Sequence, residues 1–434
     1  MSDLLRRIIA RNRKGAAAAI PSVCSAHADV LRASLLLAEE MDRPLVVEAT
    51  SNQVNQFGGY TGMRPSDFAA FVARLAREMG VDRDRIVLGG DHLGPQVWRA
   101  GPADAAMDHA IVMVADYARA GFTKIHLDCS EGCMGEPAQV DDATAAERSA
   151  LLAEACDGAA PDAGAMAYVI GTEVPPPGGA RAEGQDDGPH PETIAPTTPE
   201  AARATLVAHR AAFAAHRLDA LWPRVCGLVV QPGVEFSATA IHHLPIGDGA
   251  ALRSVLDDWP GMGFEAHSTD YQHPEAYPRL AGQGFAILKV GPALTFAFRK
   301  AVYGLDMIAR TAGLDLKPLP EVMEQAMLAR PEFWQRHYAA TDAAQHRLLR
   351  HFSYADRIRY YWPEAEACDA IDRLFAELKE IPIPVSALAQ CFGPEVIDRA
   401  QHLRDRYLEP ARALVAAEVQ MALRPYFFGT GNDR

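Results

Sequence analysis

Between residues 20 and 300, eight short apolar runs, each closed by Gly, Pro or a polar residue, alternate with longer segments whose apolar residues recur at helical spacing. The runs are 20–26, 44–49, 85–89, 124–128, 167–171, 227–231, 263–266 and 285–290. The segments between them predict helices over 28–41, 64–79 (with Ser66 placed to cap), 103–120, 143–156, 199–216 and 250–259, and a short one within 274–282. Strand–helix alternation of this kind gives a parallel sheet. Eight repeats close into a barrel, whereas an open sheet would leave two edges to cover. The expected fold is therefore α/β, a TIM-like (β/α)8 barrel over residues 1–300. Residues 301–434 carry helical patterns and scattered prolines without further alternation, and are expected to form a helical extension packed on the barrel. Residues 175–199, rich in Pro, Gly and acidic side chains, predict a long loop after the fifth strand.

Charge and cysteine usage narrow the function classes. The 434 residues include 42 Lys+Arg against 56 Asp+Glu, a net charge of −14, which gives no general attraction to nucleic acid or to anionic lipid. Seven cysteines spread from Cys24 to Cys391 do not form a disulfide framework, which points to the cytoplasm. Arg6, Arg7, Arg11, Arg13 and Lys14 precede the apolar run 16–20, but Pro21 ends it well short of the about 7–15 residues of a secretory leader. No apolar stretch approaches the roughly 20 residues of a membrane span. There is no GxGxxG or GxxxxGK[ST] pattern, so neither a dinucleotide nor a nucleotide kinase site has sequence support.

Function in such a barrel resides at the C-terminal ends of the strands, where the loops converge. Nearly every exit here carries an ionisable group. Asp91-His92 and His267 are the first candidates for a divalent metal such as zinc, with Glu235 or Glu173 as a third ligand. His126 lies within a strand and its direction is left open. Asp91, beside a ligating histidine, is a candidate general acid/base, and a loop-ordering carboxylate is the alternative. The stretch 50–62, TSNQVNQFGGYTG, offers amide side chains, among them Asn52 and Gln53, suited to sugar hydroxyls; Glu48 precedes it. Lys289 and Gly291 end the eighth strand, where barrel enzymes often cradle phosphate on loop amides and a helix N-terminus. Arg357 and Arg359 would add charge-assisted contacts to that phosphate if the extension folds over the mouth.

Taken together, SVCSAH (22–27), VEATSNQVNQFGGYTGM (47–63), GGDHLGP (89–95), KIHLD (124–128), YVIGTEVPPPGG (168–179), VVQPGVEF (229–236), EAHSTDYQ (265–272), AILKVGPALTFAFR (286–299) and DRIRYYWP (356–363) resemble the tagatose-bisphosphate aldolase accessory-subunit family. That family resembles class II, metal-dependent aldolase barrels. Its members include non-catalytic partners of a class II aldolase catalytic subunit and 4-epimerases of tagatose 6-phosphate, some under older records as kinases. The resemblance matches Asp91 to an acid/base aspartate, His92 to a first metal ligand and His267 to a last one. The middle metal histidine of those aldolases is absent, with Gln231-Pro232-Gly233-Val234-Glu235 in its place. That departure speaks against class II aldol condensation or makes Glu235 the substitute. The implied activity is metal-assisted retro-aldol/aldol epimerisation of a phosphorylated ketohexose at C4 in hexitol (galactitol) catabolism, with Asp91 and Glu173 trading the C4 hydroxyl proton. The alternative is a stabilising subunit of tagatose-1,6-bisphosphate aldolase.

Overall fold

The computed structural model describes residues 2–171, 194–245, 247, 249–339, 342–406 and 408–429. Eight parallel strands close a barrel: β1 (Ile20–Cys24), β2 (Leu45–Thr50), β3 (Ile86–Leu93), β4 (Lys124–Leu127), β5 (Ala167–Ile170), β6 (Val225–Val229), β9 (Gly263–Ala266) and β10 (Phe285–Val290). The remaining two, β7 (Glu235–Phe236) and β8 (Ile241–His242), form a small antiparallel hairpin in the loop after β6. Each barrel strand coincides with an expected run, and β1 pairs with β10 to seal the cylinder. The surrounding helices are α2 (Ala28–Glu40), α3 (Pro65–Glu78), α4 (Ala103–Arg119), α5 (Asp142–Ala159), α6 (Pro199–Ala215), the short α7 (Ala250–Arg253) and α8 (Ala276–Gly282). Ser66 does not cap α3. It lies one residue inside the helix, and the Asp67 carboxylate reaches back to accept the Arg64 N–H at 3.0 Å. Most of the expected loop 175–199 lies outside the described residues.

Both faces of a barrel strand are buried, so the outward residues must be apolar to pack on helices, and polar residues that alternate with them point inward. In β4, Ile125 and Leu127 belong to the apolar layer under the helices, while Lys124 and His126 alternate with them and are fully buried. The interior is therefore stratified. At its N-terminal end Ile20, Val46, Val87, Val169 and Ile287 pack against Leu5, Ile8 and Ile9 of α1 (Ser2–Arg13). The basic N-terminal segment is thus an amphipathic helix that plugs the barrel floor, and the Asn12 amide ties it down by donating to Ala18 O and Ala281 O, both at 2.8 Å.

Above this plug lies an ionic layer. Lys124 Nζ contacts Glu48 Oε1 and Glu265 Oε2, each at 2.6 Å, and Lys289 Nζ contacts Glu48 Oε2 at 3.0 Å and also pairs with Asp91. Gly89 is required beside it, because a Cβ there would lie 2.7 Å from Glu48 Cγ.

After β10, α9 (Pro292–Thr311) leads into α10 (Leu319–Ala329), α11 (Ala343–Phe352), α12 (Ala365–Lys379), α13 (Val385–Leu388), α14 (Pro394–Arg406) and α15 (Pro410–Leu423). The α15 helix lies against α2 and α9, with Gln420 donating to Ala33 O at 2.9 Å. The turn Arg357–Tyr361 reaches over the barrel mouth. Asp356 fixes it by accepting from Thr295 Oγ1 (2.6 Å) and Arg299 Nε (3.0 Å) on α9.

Removing one partner of a buried ion pair leaves the other charge uncompensated. Lys124→Met should therefore destabilise the protein by about 3–5 kcal/mol in urea unfolding; a loss below about 1 kcal/mol, the level of a surface pair, would show that the ionic layer does not hold the barrel together.

Candidate active site

The C-terminal ends of β3, β4 and β9 bring Asp91, His92, His126 and His267 together, with one potential ligand atom from each within 4.8 Å of every other. The three imidazole centroids are 4.9–5.0 Å apart. Each ring has a carboxylate on one nitrogen. His92 Nδ1 donates to Asp128 Oδ2 at 2.7 Å, His267 Nε2 lies 2.9 Å from Glu265 Oε1, and His126 Nδ1 lies 3.1 Å from Asp91 Oδ1. The backbone N–H of His92 points at the same His126 Nδ1, at 3.2 Å; that nitrogen either accepts from this amide or donates to Asp91, and only the second tautomer leaves Nε2 unprotonated. Carboxylates placed in this way orient metal-ligating histidines and leave the other nitrogen for the ion. Among the described residues His126 Nε2 is buried with no hydrogen-bond partner, as are ring nitrogens of His27 and His209; His126 alone of these belongs to the cluster.

Charge balance agrees with the geometry. Glu48, Asp91, Asp128 and Glu265 are buried carboxylates, and the buried lysines 124 and 289 supply only half the compensating charge. The remaining two negative charges suit a dication or protonated imidazoles. Burial, followed by Lys289, drives His267 well below its usual pKa, and burial lowers His126, so both rings are neutral and able to ligate. Burial opposes protonation of His92 as well, but Asp91 and Asp128 outweigh it and raise its pKa. Burial would raise Asp91, yet His92 and Lys289 hold its carboxyl well below the usual range. His92 has φ of 47°, in the left-handed region uncommon for side-chain-bearing residues, as does Ser268, next to His267, at 51°.

Above the cluster is a cavity lined by Cys24, Gln53, Tyr60, Asp91, His92, His267, Asp270, Lys289 and Gly291, with Arg359 and Tyr360 contributed by the C-terminal turn. The Cys24 thiol donates to Asp91 Oδ2 at 3.3 Å. Gly59 makes the turn of the 50–62 loop possible, since a Cβ would lie 2.4 Å from Gln53 O. The turn brings Tyr60 to 4.6 Å from the Tyr360 ring.

Several sequence expectations are corrected by these placements. Glu235 is not in the ligand cluster: it sits on the β7–β8 hairpin, with Oε1 accepting the adjacent Phe236 N–H at 2.9 Å, and His126 stands in the group instead. Glu48 has no exposed surface and lies in the ionic layer beneath the cavity, where it pairs with the two lysines rather than facing a substrate. Asn52 and Arg357 line an adjoining cavity, not the central one, and Arg357 Nε donates to Phe333 O at 2.6 Å. The Gly291 amide is not available to a phosphate. It donates to Asp270 Oδ1 at 3.0 Å, and the Ala293 N–H donates to the same oxygen at 2.8 Å. Lys289 lines the cavity, but its charge is held by Asp91, Glu48 and Glu265. Glu173 lies outside the described residues.

A parallel barrel with carboxylate-backed imidazoles gathered under a cavity at its C-terminal mouth defines a (β/α)8 protein with a metal-competent centre. The chain belongs to the GatZ/KbaZ-like family, whose model is described as D-tagatose-1,6-bisphosphate aldolase subunit GatZ/KbaZ-like and matches residues 5–431. It is 46% identical, over the full length of both chains, to the D-tagatose 6-phosphate 4-epimerase of Agrobacterium fabrum. It is also 44% identical to a protein of Sinorhizobium meliloti whose crystal structure is described as that of a probable tagatose 6-phosphate kinase. That match covers 94% of this chain and 99% of the other, with a TM-score of 0.82.

Burial raises Asp270 to about 6, against the hydrogen bonds from Ala293 and Gly291 that lower it. A carboxyl raised above its unfolded value of about 3.9 binds its proton more readily when folded, so the fold gains stability as pH falls from about 6 to about 4. The unfolding free energy of Asp270→Asn minus that of wild type should therefore drop by about 2–3 kcal/mol from pH 7 to below about pH 4. Urea unfolding at both pH values checks this, and a pH-independent difference would contradict the raised pKa.

Proposed function

We propose that the protein is a metal-dependent sugar-phosphate isomerase of the cytoplasm, the 4-epimerase that interconverts D-tagatose 6-phosphate and D-fructose 6-phosphate. The observation that carries this reading is the cluster of Asp91, His92, His126 and His267 beneath a polar cavity, in a chain 46% identical to a D-tagatose 6-phosphate 4-epimerase.

The C4 carbon of a ketohexose bears no acidic hydrogen, and its inversion without a redox cofactor requires the C3–C4 bond to break and re-form. A bound divalent ion would supply Lewis-acid stabilisation of the negative charge that this cleavage leaves on the ketose oxygens. His92, His126 and His267 would hold it, with Asp128 and Glu265 fixing the orientation of two of the rings. In this reading Glu173 gives a proton to the C4 oxygen when the rotated aldehyde re-adds, and Asp91 takes the C4 hydroxyl proton as the bond breaks. The pairing of Asp91 with Lys289 keeps it ionised, as an acceptor requires. The freed aldehyde must rotate between the two steps, and the roof of Tyr60, Tyr360 and Arg359 is where it would be retained. Arg359 lines the cavity and has no ion-pair partner among the described residues, which suits it to the substrate phosphate. Gln53, which lines the same cavity, would bind a sugar hydroxyl.

Purified protein supplied with divalent metal and tagatose 6-phosphate should form fructose 6-phosphate. His92→Ala, His126→Ala and His267→Ala should each lower kcat/KM by about 10²-fold or more and deplete bound metal, and Asp128→Asn should lower it by about 10–100-fold. No product from the wild type, with or without metal, refutes the activity. The family description favours a second reading, support of a separate tagatose-bisphosphate aldolase catalytic subunit. That reading requires a stable complex whose benefit to the aldolase survives Asp91→Asn and His267→Ala.

A further inference from the structure

In a (β/α)8 barrel the end of the last strand and the helix that follows form an anion site, because unsatisfied amides and the helix dipole point into the mouth. Here that place is β10, Gly291 and the start of α9, a helix of 20 residues. The site is already filled from within. Asp270, three residues beyond His267, swings its carboxylate across so that Oδ1 accepts the N–H groups of both Gly291 and Ala293, at 3.0 and 2.8 Å. The side chain is buried yet lines the same cavity as the metal-competent cluster. An incoming phosphate at this end would lose the amides and meet a negative group. Among the described residues Arg359 is the cation lining the cavity without an ion pair, so one phosphate is matched and a second is opposed.

We infer that Asp270 is a specificity-determining residue that restricts this site to ketohexose monophosphates, its carboxylate taking the helix N-terminus where the second phosphate of a bisphosphate would bind. The inference rests on the sugar-phosphate reading above but is independent of whether the bound sugar is epimerised. It also separates this chain's ligand from the 1,6-bisphosphate in the family's description. Asp270 acts on which sugar binds and takes no part in breaking bonds.

The test is calorimetric binding of D-tagatose 6-phosphate and D-tagatose 1,6-bisphosphate to metal-loaded wild type, Asp270→Asn and Asp270→Ser, with turnover of the monophosphate followed in parallel. Wild type should bind the monophosphate in clear preference. Asp270→Ser, which frees both amides and removes the charge, should shift the affinity ratio toward the bisphosphate by at least about tenfold. Asp270→Asn keeps an acceptor for the helix and removes only the charge, so it should shift the ratio the same way by less, and it decides the matter if the serine variant fails to fold. A wild type that binds the bisphosphate as tightly as the monophosphate, or binds neither, overturns the inference, as does an unchanged ratio in folded variants. Binding with the expected ratios but no turnover overturns the epimerase reading alone.

Discussion

Two lysines inside the barrel determine where most of the functional groups stand. Lys124 and Lys289 have almost no exposed surface, and an ammonium group at such depth persists only if carboxylates meet it at close range. Glu48, Glu265 and Asp91 do so, arriving from β2, β9 and the end of β3. The strand register is thereby constrained. A slip of one residue would turn Lys124 toward the helices and Ile125 into the ionic layer, at the cost of several buried charges. Because strand side chains repeat every second residue, fixing Lys124 and Glu265 also fixes His126 and His267 one level higher. The ionic layer is thus the footing of the cluster above it.

Much of this architecture was legible in the sequence because a barrel strand is buried on both faces and must read as a short apolar run ending in polar residues. Residues 124–128, KIHLD, show the limit of how it was read. The alternation of Lys124, His126 and Asp128 with Ile125 and Leu127 already implies that the polar set faces the interior, a signal sufficient to include His126. Leu4, Leu5, Ile8 and Ile9 likewise carry the spacing of an amphipathic helix, obscured by the arginines among them, which extend from the plug's other face.

Other features were not legible, for a physical reason. Asp270 acts through amides more than 20 residues further along the chain, and no local pattern announces that a carboxylate will occupy a helix N-terminus on the next strand. Glu235 looked like a ligand because it follows a strand. The loop there turns at Gly233, φ 94°, into a two-stranded hairpin, so the distance from β6 is spent within the loop and the carboxylate caps its own neighbour. Arg357 and Arg359 are two residues apart yet serve different cavities, because the turn that carries them is a single tight one whose Tyr360 ring lies between their guanidinium groups, 4.4 and 4.6 Å away.

The cost of this interior distinguishes the two readings of the chain. A subunit that only stabilises a partner needs a firm barrel, and a firm barrel is made most readily with apolar side chains, since buried ion pairs replaced by well-packed hydrophobic residues are often neutral or stabilising. This chain instead gathers four buried carboxylates around two lysines in the barrel interior, leaves His126 Nε2 without a hydrogen-bond partner among the described residues, and holds His92 and Ser268 at positive φ. Each of these features opposes folding, and all converge on one cavity. Such convergence is what a site that binds a cation and reacts a polar substrate requires, and a scaffold gains nothing from it. The roof, pinned by Asp356 to α9, completes the enclosure from the chain's own C-terminal half, so the barrel and its extension share in forming a single reaction chamber.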